Sequence, residues 1–219
     1  MVGGRAGAPG SIGGARLMFD QVLWFAARGA GIVSLLLSTV VVCLGFATVV
    51  RWQADGWPRF LTIELHRSMA LLSIVFVALH VVTAILDPFN SLGVLAAFVP
   101  LASSYRPLAV AAGVISVDLL IAVIITSLLR ERIGHRAWRA VHWLAYAAWP
   151  LAVVHSLFAG TDAFAPWMLA ILGACCLAVA AAFAWRLSVD RSIRAAMRGE
   201  SDLSSRAQRT DGRPSGNRR

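Results

Sequence analysis

Five stretches of about twenty residues, almost free of charge, constrain this chain more than any other feature. They run from about Ala30 to Val50, Thr62 to Leu86, Leu108 to Leu129, Ala140 to Phe158 and Pro166 to Trp185. A helix of about 20 residues at 1.5 Å per residue crosses a hydrocarbon core of roughly 30 Å. The expected fold class is therefore all-α, a polytopic transmembrane helical bundle of about five spans. Composition agrees, with 58% hydrophobic residues and a mean hydropathy of +0.72. Soluble domains sit near 45–50% apolar.

All 20 basic residues are arginine, and the formal charge is +9. A nucleic-acid binder would gather that charge on one face, whereas these arginines sit at span ends and in the C-terminal tail. They read as topology signals and lipid-headgroup contacts. Arg51, Arg59 and Arg67 flank the first connection, and Arg130, Arg132, Arg136 and Arg139 crowd the third. Arg186, Arg191, Arg194 and Arg198 open the tail, while the second connection has only Arg106 and the fourth, 159–165, has none. By the positive-inside rule the first and third connections and the C-terminus are cytoplasmic, and the N-terminus is outside despite Arg5, Arg16 and Arg28. The lysine-free, alanine-rich composition points to a GC-rich bacterial genome and hence to a bacterial inner membrane. No cleavable signal peptide is visible. Residues 1–28 read as a flexible N-terminal segment, 29–186 as the membrane domain and 187–219 as a basic cytoplasmic tail, disordered from 199. Residues 87–107 do not span and are expected in the outer interface, over the ends of the second and fourth spans. Cys43, Cys175 and Cys176 form no CxxC pair and read as buried fillers.

Four of the five histidines, His66, His80, His142 and His155, fall within spans; His135 lies in the third connection. Ionisable groups are costly in a bilayer and normally face the bundle interior. His66 and His80 are 14 residues apart and His142 and His155 are 13 apart, about 21 and 19.5 Å along a helix. With the second and fourth spans running the same way, His66 matches His142 in depth near the inner face, and His80 matches His155 near the outer face. Two histidines at one depth on facing helices can ligate one haem iron from both sides. Fourteen residues return to within about 40° of the same helix face, but thirteen miss by about 140°. A kink at Pro150 is expected to swing His155 back toward the bundle. A haem-free bundle using these histidines for proton or metal-ion transport is the competing reading, and a haem-binding sensor or scaffold is a third.

His66-x13-His80 and His142-x12-His155, with LLRERIGHRAWRAVHWLAYAAWPLAVVH from Leu128 to His155, resemble the ferric reductase-like transmembrane domain. That family includes NADPH oxidases, ferric-chelate reductases and the haem subunit of the bacterial periplasmic methionine-sulfoxide reductase system. The resemblance covers about Arg28 to Asp162. It implies two b-type haems between the second and fourth spans, with irons on His66 and His142 at the inner layer and on His80 and His155 at the outer. Electrons would enter from a cytoplasmic flavin-dependent NAD(P)H reductase and leave to an outer acceptor: ferric chelate, oxygen or a partner protein. The chain departs from the oxidases in showing no flavin or nicotinamide domain after its last span. The flavin is then expected on a partner, and the chain reads as the haem-binding membrane subunit of an oxidoreductase.

Haem propionates need basic partners. Arg67 and Arg139 lie near the inner histidines, and Arg106 and Tyr105 lie near the outer exit, so these four are candidate propionate contacts, with headgroup anchoring as the alternative. Asp118, midway along the third span, reads as a structural hydrogen-bond acceptor in preference to a proton relay. Trp57, Trp138, Trp143, Trp149 and Trp167 read as an aromatic belt.

Overall fold

In lipid, a backbone N–H or C=O must find its partner inside the protein, which for an open chain means a helix. The computed structural model describes residues 10–50, 52, 57–88 and 92–211. Six α-helices carry them: α1 (Gly10–Val49), α2 (Arg59–Leu86), α3 (Pro107–Leu128), α4 (Arg130–His142), α5 (Ala145–Ala159) and α6 (Pro166–Asp211). A 3₁₀ turn, Val94–Ala97, lies between α2 and α3, and no β-strand occurs among the described residues.

Helix α1 from Arg16, helices α2 and α3, and α6 as far as Ala195 are each long and apolar enough to cross a membrane. The pair α4 and α5, bent by 41°, makes a further span only if taken together. The all-α, multi-pass architecture is thus four or five spans, the fourth of them broken. Helix α5 alone has 15 residues, about 22 Å, short of a full crossing. Helix α4 is amphipathic, buries no residue, and is interrupted at Gly134 (φ 81°, ψ 158°).

Both ends are more helical than expected. Helix α1 begins at Gly10, so 10–28 are helix; residues 1–9 lie outside the described residues. Helix α6 continues through 199–211, where disorder was expected, and 212–219 lie outside the described residues. Helix growth costs little once a nucleus exists, and the arginine-rich sequence beyond Trp185, free of proline as far as Asp211, propagates the anchored membrane segment.

Helix α2 shows how a span sorts its faces. Leu71, Val75, Leu79, Val82 and Leu86 form an exposed stripe, each more than 40% accessible. Such a stripe would be costly in water and is at home in lipid tails. The opposite face, from His66 through Ser73 and Val77 to His80, looks onto a cavity. Helix α1 packs along α2, and α3 along α5. Helix α6 closes the back, where Leu35, Met168, Leu172 and Cys175 form a core joined by Trp149. Two buried polar contacts tie α5 in place. Ser116 Oγ donates to the Ala148 carbonyl (2.8 Å), and Trp149 Nε1 donates to Thr39 Oγ1 (3.0 Å). Of the cysteines, all free, Cys175 is buried and Cys43 half-buried, but Cys176 is exposed, so it is no interior filler.

The segment between α2 and α3 folds over one end of the bundle. Asp87, Ala96, Ala97 and Ser103 are buried in it. Tyr105 Oη donates to the Ala159 carbonyl (3.2 Å), and Arg106 donates to the carbonyls of Phe158 (2.7 Å) and Gly160 (3.2 Å). The last carbonyls of α5 have no partner in their own helix, and these two side chains supply one.

Candidate functional site

A cavity of about 600 Å³ lies among α1, α2, α3 and α5, and all four intramembrane histidines line it. They meet in two pairs. The ring centres of His66 and His142 are 6.4 Å apart, and those of His80 and His155 are 6.1 Å apart. The names inner and outer, taken from the charge pattern, are kept below for these two layers. His66 and His80 share a face of α2 because 14 residues nearly complete four turns.

On the other side the phase deficit is made up away from Pro150. Pro150 lies inside α5, and the chain breaks earlier, at Trp143–Leu144. There Leu144, Tyr146 and Ala147 each bond the carbonyl three residues back. A 3₁₀ turn winds about 120° per residue instead of about 100°, so a few such residues recover about 60–80° of the missing 140°. The 41° bend between α4 and α5 re-aims the rest. Both His142 and His155 consequently face α2.

The pair spacing is chemically specific. An imidazole nitrogen lies about 1.1 Å from its ring centre and about 2.0–2.1 Å from a bound metal ion, so one ion between two imidazoles sets the ring centres about 6.2–6.4 Å apart. Both pairs fall at or next to this value. Among the described residues no group of three or more His, Cys, Asp or Glu comes together. A metal held by protein alone commonly takes four ligands, whereas a haem iron brings its own equatorial nitrogens and asks the protein for axial ones. Two facing histidines per layer, walled by apolar helices, fit the second donor set.

Tautomers are settled by hydrogen bonding at three of the four rings. Nδ1 of His66 lies 3.1 Å from the Val41 carbonyl, that of His80 2.7 Å from Ala27, and that of His155 2.9 Å from Ala109. A carbonyl can only accept, so each Nδ1 carries the proton and each Nε2 lone pair is free for a ligand. His142 differs: its Nδ1 is buried without a partner. Trp138 stacks on that ring at 5.0 Å and donates Nε1–H to Ser127 Oγ (3.2 Å).

Among the other candidates, Arg67 and Arg139 are exposed near the inner layer, while Tyr105 and Arg106 cap α5 near the outer layer and Tyr105 also lines the cavity. Asp118 is not among the cavity-lining residues. Two arginines emerge that sequence reasoning used only as topology signals. Arg28 pairs with Asp162 and Thr161 and lies over Trp24, joining α1 to the α5–α6 turn at the outer end. Arg186 lies over Phe46 and Trp143 with a buried, unbonded Nε. Phe46 stacks on Tyr146 at 5.1 Å, and Tyr146 reaches the inner part of the cavity. The only sequence sign of Arg186 was its place at the end of the last apolar run.

Residues 26–153, more than half of the chain, match the family described as ferric reductase like transmembrane component. The chain belongs to this family. No curated protein and no solved structure matches it. The family match takes in His66, His80 and His142 and stops two residues before His155. In this ferric reductase-like chain the fourth histidine is thus placed by the fold, through its approach to His80.

Proposed function

We propose that this protein is a haem b electron-transfer subunit, a membrane component that connects a cytoplasmic reductase with an acceptor on the outer face. Membership of the ferric reductase-like family supports membrane electron transfer. The observation that carries the haem reading is the pair of ring-centre distances, 6.4 and 6.1 Å, each suited to one ion between two imidazoles. His66 and His142 would hold the inner haem, and His80 and His155 the outer. When bound, the two haems would supply one-electron carriers about 20 Å apart along the bundle axis.

The chain's own part is ligation, orientation and exclusion of water. Nε2 of each cavity-facing histidine offers a lone pair, and the carbonyls of Ala27, Val41 and Ala109 hold three of the rings in one tautomer. Apolar walls keep the site at low dielectric. Arg67, Arg139, Arg106 and Tyr105 remain the proposed partners of the propionates, and Arg186 joins them at the inner level because its guanidinium is half-buried with an open Nε. The proposed donor is a flavin-dependent NAD(P)H reductase, with membrane quinol the alternative, and the acceptor a ferric chelate, oxygen or a partner protein. The membrane is proposed to be the bacterial inner membrane, with the C-terminus cytoplasmic and the N-terminus outside.

The test is haem content and spectrum of the detergent-purified chain. About two haems b per chain, low-spin and bis-histidine, with one lost in His80→Ala or His155→Ala, is the expected result. A chain without haem after expression with ample haem would return the histidines to a proton or metal-ion path, the competing reading.

A further inference from the structure

The three tethered histidines share one construction. In a helix, the carbonyl of one residue bonds the N–H four residues on, and the Cβ of that later residue leans back over the same carbonyl. The carbonyl bonded by His80 belongs to Ala27, and four residues on is Gly31. For His66 the pair is Val41 and Gly45; for His155 it is Ala109 and Gly113. The imidazoles of His155 and His80 lie in the space a side chain would occupy. A Cβ on Gly113 would fall 2.5 Å from His155 Nδ1, and one on Gly31 would fall 3.0 Å from His80 Nδ1. At Gly45 the nearest ring atom is 3.7 Å away, an ordinary contact. Gly31 and Gly45 are 14 residues apart on α1, as His80 and His66 are on α2, so one antiparallel register serves both.

The fourth position breaks the pattern. His142 is the last residue of α4, and the end of α3 bonds within itself: Thr126 Oγ1 donates to the Val123 carbonyl (3.2 Å). Ser127 Oγ donates to Val123 as well. His142 Nδ1, unlike that of the other three, is buried without a partner.

We propose that Gly31 and Gly113 are positioning residues that each bare one carbonyl to orient a histidine that would ligate haem, and that His142, whose ring has no such carbonyl partner, would be the exchangeable ligand of the inner layer. This rests on the haem reading of the site. An orienting bond to the far nitrogen fixes ring direction and raises ligand basicity, and its removal commonly lowers metal affinity by about 10–100-fold. At the outer layer both ligands are tethered; at the inner layer one is.

The experiment uses the full chain, purified with haem, and reads haem stoichiometry, low-spin EPR anisotropy and carbon monoxide uptake after reduction. In the wild type, carbon monoxide is expected on one of the two haems. Gly113→Ala should lower outer haem affinity by about 10–100-fold, Gly31→Ala should do so less, and Gly45→Ala should leave both haems in place. Gly31→Ala and the wild-type titration carry the test if Gly113→Ala does not fold. Two haems that take up carbon monoxide equally, or not at all, would overturn the inference and leave the haem reading standing. A chain that binds no haem would overturn the haem reading, and this inference with it.

Discussion

The outer and inner layers each set two histidines face to face and are built differently. His80 and His155 come from uninterrupted helix, each ring set against a glycine and bonded to the carbonyl that glycine exposes. His66 is held in the same way, but its partner His142 is the last residue of an amphipathic helix that buries nothing, immediately before a break. Its ring rests against Trp138 with its Nδ1 unpaired. Four equivalent residues in the sequence thus become three tethered histidines and one free one. The lesson is that a histidine's rigidity is decided by whether the helix opposite offers its ring a carbonyl.

The largest expected effect contrasts the layers directly. His155→Ala should empty the outer layer, whereas His142→Ala should leave an inner haem that stays bound through His66 and turns high-spin; pyridine-haemochrome counts and EPR tell the two apart. Equal haem loss in both variants would erase the distinction. Next comes Trp138→Ala, which removes the stack on His142. Carbon monoxide uptake should quicken several-fold at one haem, with the other unchanged, in stopped-flow traces. Smaller again is Arg28→Ala, which breaks the pairing with Asp162 and Thr161 at the outer end. Because this pair is partly exposed, the expected loss is at most about 1 kcal/mol, seen as a small fall in thermal stability and in outer haem retention, the inner being spared. The smallest is Pro150→Ala. With the break at Trp143–Leu144, this substitution should leave both low-spin signals unaltered, and a shift of the His155 signal would restore the proline as the element that turns the helix.

Much of the architecture was legible beforehand because it rests on local rules. A run of about 20 apolar residues must be a helix in lipid, and α2 lies where its run of apolar residues said it would. The 14-residue interval placed His66 and His80 on one face from helix geometry alone, and matched depth paired them with His142 and His155. The misjudged places are those where a local rule was extended past its range. Residues 10–28 and 199–211 lack an apolar run, yet they continue helices already anchored in the bundle. Pro150 was credited with a kink because proline breaks helices in general, but a proline near the start of α5 is tolerated and the turn tightened six residues earlier.

What the sequence by itself determined is therefore the class of fold and the four histidines that line the cavity. Hydrophobic length and helical periodicity are properties of a segment, and they need no neighbour. What the tertiary structure alone decided is how each histidine is held: which carbonyl faces which ring, that Gly113 lies under His155 while His142 Nδ1 meets no partner, and that Arg28 finds Asp162 across 134 positions of chain. Those outcomes depend on the register between helices distant in sequence. Interhelical register is set by packing across the bundle, where a single missing Cβ determines whether a carbonyl can accept a second hydrogen bond.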